Sequence, residues 1–529
     1  MLRQIKIQLL TQYGVFIIFL LFATTQILLI WNGGPSRIFE SPDANVNYHF
    51  AVRLAQGLPL GVPSTISQMT EYITPRSAAV HAGLIVPSGF VGLIALYGFL
   101  SSFTSINLIP YWTLVFALLG LMHFYWLLKR VFSPQMAWWS VFICMVHPAW
   151  LYYTQRSLLP NVLFVSLLLM SSYYIYQISQ RRRLWDYVGA GLALSAAVMV
   201  RPSEAIWIAV AVISFVVIER RRLFLKYIVA TVVSAIPAVV ILLFAVMGQW
   251  SLLWGGGNQL LHQNPVSLWQ TGITLLFPFG FHPRLIWWVI ERYVIWWQLP
   301  FLVLALIGAA SFRQNFREQR HRHYCWLTVF VATFLLCYYG SWLVQDNPVA
   351  GATTIGTSYI RYLLPLFTLL SPFVAWAIIG LTRQLAPQYQ KIFTVSIVGL
   401  LLIFSVQRVL AEPQEGWLQQ RRDLHSYERV LALTKRVVTP DTIIMTQKGD
   451  KYLWPTFAVI TPQGDDGYLA ATAELVESGY HVVFLNPIID DERRQFLDRQ
   501  WQPLGLQLGP AIFERDGLGL YLLSVIRHD

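Results

Sequence analysis

The sequence predicts an α-helical polytopic membrane protein of about eleven transmembrane helices, closed by a small C-terminal α/β domain on the outer side. Three observations carry that expectation. Apolar stretches long enough to cross a bilayer recur along the 529 residues, a crossing needing ~20 apolar residues for ~30 Å of hydrocarbon. Clusters of Arg and Lys fill only every second gap between them. After about residue 411 the pattern gives way to short strands and polar helices.

Because cytoplasmic loops retain Lys and Arg, the basic clusters mark the inside. They are Arg3/Lys6, Lys129-Arg130, Arg181-Arg182-Arg183, Arg220-Arg221-Arg222 with Lys226, Arg313/Arg317/Arg320/Arg322 and Arg383/Lys391. With the N-terminus inside, spans are predicted near residues 12–31, 104–128, 134–153, 160–178, 186–200, 204–218, 225–247, 293–312, 324–344, 361–381 and 391–410. Loops 32–103, 154–159, 201–203, 248–292 and 345–360 then face outward, as does the remainder from 412. Two outer loops are long enough to be structured, while the inner ones are short and basic. Chemistry on the external side of a plasma (inner) membrane would need that layout.

Composition agrees. The chain is 56% hydrophobic, 15% aromatic and 12% charged, against ~25% charged in a soluble domain. Its net charge of +12 sits in the inner loops, which reads as topology and contact with anionic lipid, and gives no case for nucleic acid. Cys144, Cys325 and Cys337 lie in apolar stretches without CxxC spacing, so neither a disulfide framework nor a zinc site is expected. The run 12–31 is too long for a secretory signal core and no small-residue cleavage site follows, so it reads as a retained first span. With no internal repeat and no Gly-rich phosphate loop, ATP-driven and inverted-repeat transport receive no support.

Residues 83–100 are apolar enough to span, yet a crossing there would place Lys129-Arg130 and both triple-Arg clusters outside. Pro87 and the glycines at 83, 89, 92 and 98 make this a helix lying in the outer leaflet or re-entering from outside, with a helical hairpin as the alternative. Such irregular backbone is tolerated only against protein or a water-filled cavity. In the C-terminal part, HSYERVLALTKRVV reads as an amphipathic helix, and DTIIMT, HVVFLN and LGLYLLSVI as strands. GYLAATAELVESG and DDERRQFLDRQ read as further helices, and the alternation predicts an α/β domain over 412–529.

The first outer loop holds FESPDANVNYHFAVRLAQG, Phe39 to Gly57. Pro42 and Asp43 mark a helix start, and Tyr48, Ala51, Leu54 and Ala55 are spaced to press one face on the membrane surface. Asp43 is a helix cap or a working carboxylate. Its company favours the second: Arg76, Arg156, Arg201 and Arg361 recur at outer span ends, where basic residues are not favoured. Charges near hydrocarbon are costly and tend to face a polar cavity, although a single interfacial Arg can simply snorkel. The guanidinium fork suits phosphate.

The D-x4-Y-x2-A-x2-L-A-x-G pattern from Asp43 resembles the first external loop of GT-C glycosyltransferases, polytopic enzymes that use polyprenyl-phosphate sugars. Protein O-mannosyltransferases and lipid A aminoarabinose transferases are examples. The resemblance continues through LLKRVF (Leu127 to Phe132), the turn from His147-Pro148 to Arg156, and RYLLPL (Arg361 to Leu366), covering roughly residues 12–410. It implies a GT-C fold, a polyprenyl-phosphate donor such as undecaprenyl phosphate, and a glycan, lipid or protein acceptor. By resemblance Asp43 matches the catalytic general base and Arg361 the arginine that faces the lipid phosphate. Where many relatives carry an acid after the Arg156 position this chain has Asn161, which argues against a divalent-metal mechanism, and no other cofactor is implied. PRSAAVH, Pro75 to His81, replaces the usual His-Pro segment, leaving His81 either a substrate contact or a structural residue.

The implied reaction needs little general acid, since the leaving lipid phosphate is already charged. Arginines stabilise the charge developing on it, Asp43 takes the proton of the acceptor hydroxyl, and attack from the opposite face inverts the anomeric centre. The loop 248–292 adds Trp250, Trp254, His262, Trp269, Phe277, Phe281, His282, Arg284, Trp287 and Trp288 beside Gly255-Gly256-Gly257. These aromatics suit sugar stacking or a membrane belt equally. Glu204 is a second acid or the ion-pair partner of Arg201. A lipid-linked saccharide flippase and a non-catalytic carbohydrate-binding relative are the competing functions.

Overall fold

The computed structural model describes all residues except 1, 32–36, 65, 182, 220–224, 246–279, 313–317, 345, 347–350, 463–466, 516 and 526–529. The chain divides into two compact units. One comprises residues 1–31, 110–241 and 257–419; the other comprises 32–109, 242–256 and 420–529.

The first unit is helical. Six described helices are long and apolar enough to cross a membrane: Tyr13–Ile30, Ile106–Val131, Pro160–Arg181, Gln319–Gly340, Leu364–Gln384 and Pro387–Leu410. Two further pairs qualify only jointly, Leu184–Val200 with Pro202–Ser214, bent by 114°, and Pro283–Trp296 with Leu299–Phe312, bent by 92°. Among the described residues, six helices, or eight with each bent pair taken as one, thus have the length and composition of a span. The segment 134–153 is two helices, Pro134–Val146 and Pro148–Gln155, because Pro148 lacks the amide that would continue the first. The His147 ring caps the second helix by accepting from the Ala149 amide at 3.2 Å. Segment 225–247 is likewise divided into Leu225–Val233 and Ile236–Ala245. The expected outer loop ends early, since Pro283 starts a helix that runs on through a π-turn at Ile290–Trp296.

Small residues set the close helix contacts in this unit. At Gly120 a methyl group would fall 2.5 Å from the Ser166 Cα, so Trp112–Val131 and Pro160–Arg181 meet backbone to backbone. Without a hydrophobic drive between helices in lipid, such close packing and buried hydrogen bonds hold them together. Trp150 supplies one, donating to Thr368 Oγ1 at 2.8 Å.

In the second unit the first outer loop is grouped with the C-terminal part from residue 420. The unit's larger sheet has the order β5-β4-β6-β8-β7. The strands are β4 (Ile443–Thr446), β5 (Ala458–Ile460), β6 (Val482–Pro487), β7 (Leu506–Arg515) and β8 (Leu518–Val525). β4 pairs in parallel with β5 and β6, while β8 is antiparallel to β6 and β7. Helices Gly467–Glu477 and Asp491–Trp501 lie where the sequence predicts them. The core joins Ile443, Met445, Phe484, Leu497 and Trp501 with Ile73 from the first loop.

Residues 83–100 do not form one apolar helix. Strands β2 (Ala78–His81) and β3 (Leu84–Pro87) make a hairpin, with β1 (Val62–Pro63) on the far edge of β3. A helix follows only from Val91 to Ser102. β-Branched Ile85 and Val86 favour the strand, and Pro87 ends it. The apolar face of helix Pro42–Ala55, expected to meet the membrane, instead packs inside this unit. Phe50, Ala51 and Leu54 are buried, and at Gly98 a methyl group would lie 2.8 Å from Leu54 Cβ and 3.1 Å from the Ala51 carbonyl.

Candidate functional site

In the second unit, Asp43 sits in the first turn of helix Pro42–Ala55, with Pro42 at the first helical positions and Ser41 in the cap position. Asp43 is therefore not the helix cap. Its Oδ1 accepts a short hydrogen bond from the Ser77 hydroxyl. Ser77 has φ of 69°, a left-handed conformation costly for a side-chain-bearing residue and concentrated at functional sites. Tyr48, one turn further along the helix, is half-buried with its ring 5.3 Å from Phe39, and its hydroxyl takes a hydrogen bond from Arg37.

Arg76, expected to hold phosphate, is engaged elsewhere. Its Nε and Nη2 donate to Asp450 at 3.0 and 2.6 Å, and its backbone amide reaches the same carboxylate at 2.9 Å. Asp450 is fully buried, so the guanidinium compensates a carboxylate rather than awaiting one. Lys451 follows suit, 3.6 Å from Glu40. His81 lies exposed at the β2–β3 turn, paired with Leu84. It stands four residues beyond Ser77, roughly 13 Å at the strand rise.

In the first unit the remaining arginines gather. The Arg361 guanidinium donates through Nε and Nη2 to Ser358 Oγ, at 3.1 and 2.6 Å. Ser358 in turn donates its hydroxyl and its amide, the latter at 2.7 Å, to Asp346. Arg156 closes the short helix Pro148–Gln155 and donates to the Tyr152 hydroxyl at 2.8 Å. Beside Tyr152, the buried Tyr153 hydroxyl donates to the carbonyls of Ile355 and Thr357 at 2.8 and 2.9 Å. Asn161 joins them by donating to the Arg361 carbonyl at 3.2 Å.

Arg201 belongs to the same neighbourhood but is neutralised. It is buried, 2.9 Å from Glu204, and donates to the Tyr339 hydroxyl at 2.9 Å. Tyr339 closes the triangle on Glu204. Glu204 is thus the partner of Arg201 and not a second free acid, and the triad braces the 114° break at which Arg201 stands. The Tyr362 ring faces Arg201 at 5.0 Å and Arg361 at 5.4 Å.

His282 and Arg284 are exposed at the start of helix Pro283–Val289, where the His282 amide meets Ser341 Oγ at 3.4 Å. Trp287 is exposed too, whereas Trp288 carries Arg292 over its ring at 4.8 Å. Trp250, Trp254, Gly255, Gly256, Gly257, His262, Trp269 and Phe277 lie outside the described residues. The sequence reading missed Ser77, Tyr153, Asp346, Ser358 and Asp450. Ser358 could have been found three residues before Arg361 on one helical face, and Ser77 beside Arg76. Asp450 carries no such local signal.

Comparisons with known proteins bear on this arrangement. Residues 90–250 match the family model described as dolichyl-phosphate-mannose-protein mannosyltransferase. No curated protein sequence matches the chain. Among solved structures the chain is similar to ArnT from Cupriavidus metallidurans bound to undecaprenyl phosphate. Identity is 12% and the TM-score 0.53, over 95% of this chain and 97% of that one. The same protein in the apo state gives 11% and 0.53, over 96% and 98%. The Archaeoglobus fulgidus oligosaccharyltransferase in the apo form gives 11% and 0.50, over 90% of this chain and 70% of that one. The likeness at such identities is one of fold. The GT-C resemblance read from the sequence is found again in both the family model and that fold.

Proposed function

We propose that the chain is a membrane glycosyltransferase that moves a sugar from a polyprenyl-phosphate donor to a hydroxyl of an extracytoplasmic acceptor. Arg361 and Arg156 receive the donor phosphate, and Asp43 deprotonates the acceptor. The observation that supports this most directly is that Arg156, on the Tyr152 hydroxyl, and Arg361, on Ser358, flank the hydrogen bond from Tyr153 to the Thr357 carbonyl. Gathered guanidinium groups suit the charge that develops on a departing lipid phosphate. The Ser358–Asp346 relay holds Arg361 in one rotamer, which lowers the reorganisation needed when the bond breaks.

In this scheme the acceptor oxygen attacks the anomeric carbon from the face opposite the phosphate, so configuration inverts. Its proton passes to Asp43 and the carbon–oxygen bond to phosphate breaks with both electrons staying on the phosphate. Ser77, donating to Oδ1, directs the other carboxylate oxygen to the acceptor. Asn161 and Tyr48 serve as substrate contacts, and the scheme calls for no metal. The same proposal includes the eleven-span topology with the N-terminus inside, an inner-membrane location, and the outward placement of residues 412–529.

The test is release of polyprenyl phosphate from a panel of polyprenyl-phosphate sugars by the purified protein in lipid nanodiscs. Asp43→Asn should slow release by ~10²–10⁴, the usual worth of a positioned general base. Undiminished turnover by this variant would remove Asp43 from the chemistry. A panel with no turnover by the natural protein would count against the transferase reading itself.

A further inference from the structure

Two buried carboxyl groups of the first unit take no part in the chemistry above, yet they grip the chain that leads into Arg361. Glu412 and Glu415 follow the helix Pro387–Leu410, and both are buried. The Gly416 amide closes a turn on the Glu412 carbonyl at 2.9 Å, and side chains three positions apart on a helical turn are neighbours. Two further contacts fix that turn. Arg408 lies 3.9 Å from Glu412 Oε1, and the Trp417 indole donates to the Leu29 carbonyl at 3.3 Å.

The two carboxyl groups meet the backbone of residues 354–356. Glu412 Oε2 accepts from the Ile355 amide at 2.9 Å. Glu415 Oε2 accepts from the Gly356 amide at 3.0 Å and from the Thr354 hydroxyl. Gly356 permits this approach, because a methyl group there would run into the Glu415 carboxyl. Tyr153 holds the same strap at the carbonyls of Ile355 and Thr357. Residues 354–357 belong to no helix or strand, so side chains rather than a ladder set their shape. Thr357 then takes the cap position of helix Ser358–Tyr362, and Ser358 receives both donations from Arg361.

We propose that Glu412 and Glu415 are positioning residues for Arg361. They fix the 354–357 strap, and the strap fixes Ser358 and through it the guanidinium. Burying two carboxyl groups costs free energy unless they are hydrogen-bonded, and here the bonds run to the segment that carries the phosphate-facing arginine. The inference rests on the reading of Arg361 given above.

Double-mutant kinetics on the full chain in nanodiscs test it. Glu415→Ala should lower kcat for polyprenyl phosphate release about ten- to hundredfold, since a misplacement of roughly 1 Å can cost ~10² in rate. Glu415→Gln keeps an acceptor of the same shape and should restore most of that loss. In the Arg361→Ala background, Glu415→Ala should cost less than about twofold more, because no guanidinium remains to be positioned. Gly356→Ala displaces the Glu415 carboxyl from the strap side and should show the same dependence on Arg361. It keeps the test decisive should Glu415→Ala fail to fold. Equal losses with and without Arg361, or an undiminished rate in both Glu415→Ala and Gly356→Ala, would overturn the proposal while the transferase reading stands. No release by the natural protein would remove both.

Discussion

Arg76 and Asp450 are 374 positions apart and are joined by hydrogen bonds from the Arg76 amide, Nε and Nη2 to a single carboxylate. Replacing one member of a buried pair leaves an uncompensated charge and costs ~3–5 kcal/mol. With Asp450 fully buried and Arg76 a third exposed, Arg76→Ala should lie toward that range and exceed the cost of Asp450→Ala. The double change Arg76→Met/Asp450→Leu should recover most of the loss. Urea unfolding of the detergent-solubilised protein measures all three.

Ser77 is expected to matter through Asp43. Ser77→Ala should lower kcat for polyprenyl phosphate release by roughly tenfold, less than Asp43→Asn, since the base persists without its orienting partner. The melting temperature should hardly move. Equal losses from the two changes would mean that Ser77 does more than orient.

Arg361 and Arg201 should separate cleanly. Arg361→Ala is expected to cut kcat by about 10²–10³, the scale of losing one charge-stabilising donor group, with little change in stability. Glu204→Gln should act mainly on stability, because it leaves the buried Arg201 without its counter-charge. Release rates and melting curves on the same preparations distinguish them.

The His49 ring packs 4.5 Å from Trp454. Burial, reinforced by the charge of Arg53, holds its pKa down to about 4. The unfolded chain protonates near 6.5, so the neutral folded form contributes stability above that pH. The contribution is lost as pH falls toward and through 4. His49→Phe should flatten the melting temperature between pH 7 and 4, as read by scanning fluorimetry.

Gly98 permits the helix bearing Asp43 to approach Val91–Ser102. Gly98→Ala would force its methyl into Leu54 and the Ala51 carbonyl, costing ~1–3 kcal/mol as overpacking usually does. Activity should fall along with stability. Thermal melting and release rates on the one variant check both.

Periodic features were the most legible. Six of the expected spans stand as long helices, and the strands DTIIMT, HVVFLN and LGLYLLSVI form where their β-branched and aromatic runs place them. Breaks were less so: His147-Pro148 reads as apolar on both sides, and hydropathy cannot tell a straight crossing from a 114° bend at Arg201. β5 and β7 escaped because each depends on neighbours in the sheet more than on its own pattern. At the sites, residue type pointed to Asp43 and Arg361. Whether an arginine is already matched was legible only where its partner is local, as the partners of Arg76 and Arg201 show. One is remote in sequence; the other, Glu204, was suspected because it lies only three residues away.

The Arg76 clamp and the Ile73 core contact also bear on the order of biosynthesis. At synthesis rates of ~5–20 residues per second, the 374 positions separating Arg76 from Asp450 take about 20–75 s to translate. Throughout that interval the helix carrying Asp43 has left the ribosome without the strands that complete its hydrophobic core. Ribosome-stalled intermediates should therefore stay open to protease in the 59–109 region until the final fifth of the polypeptide has emerged.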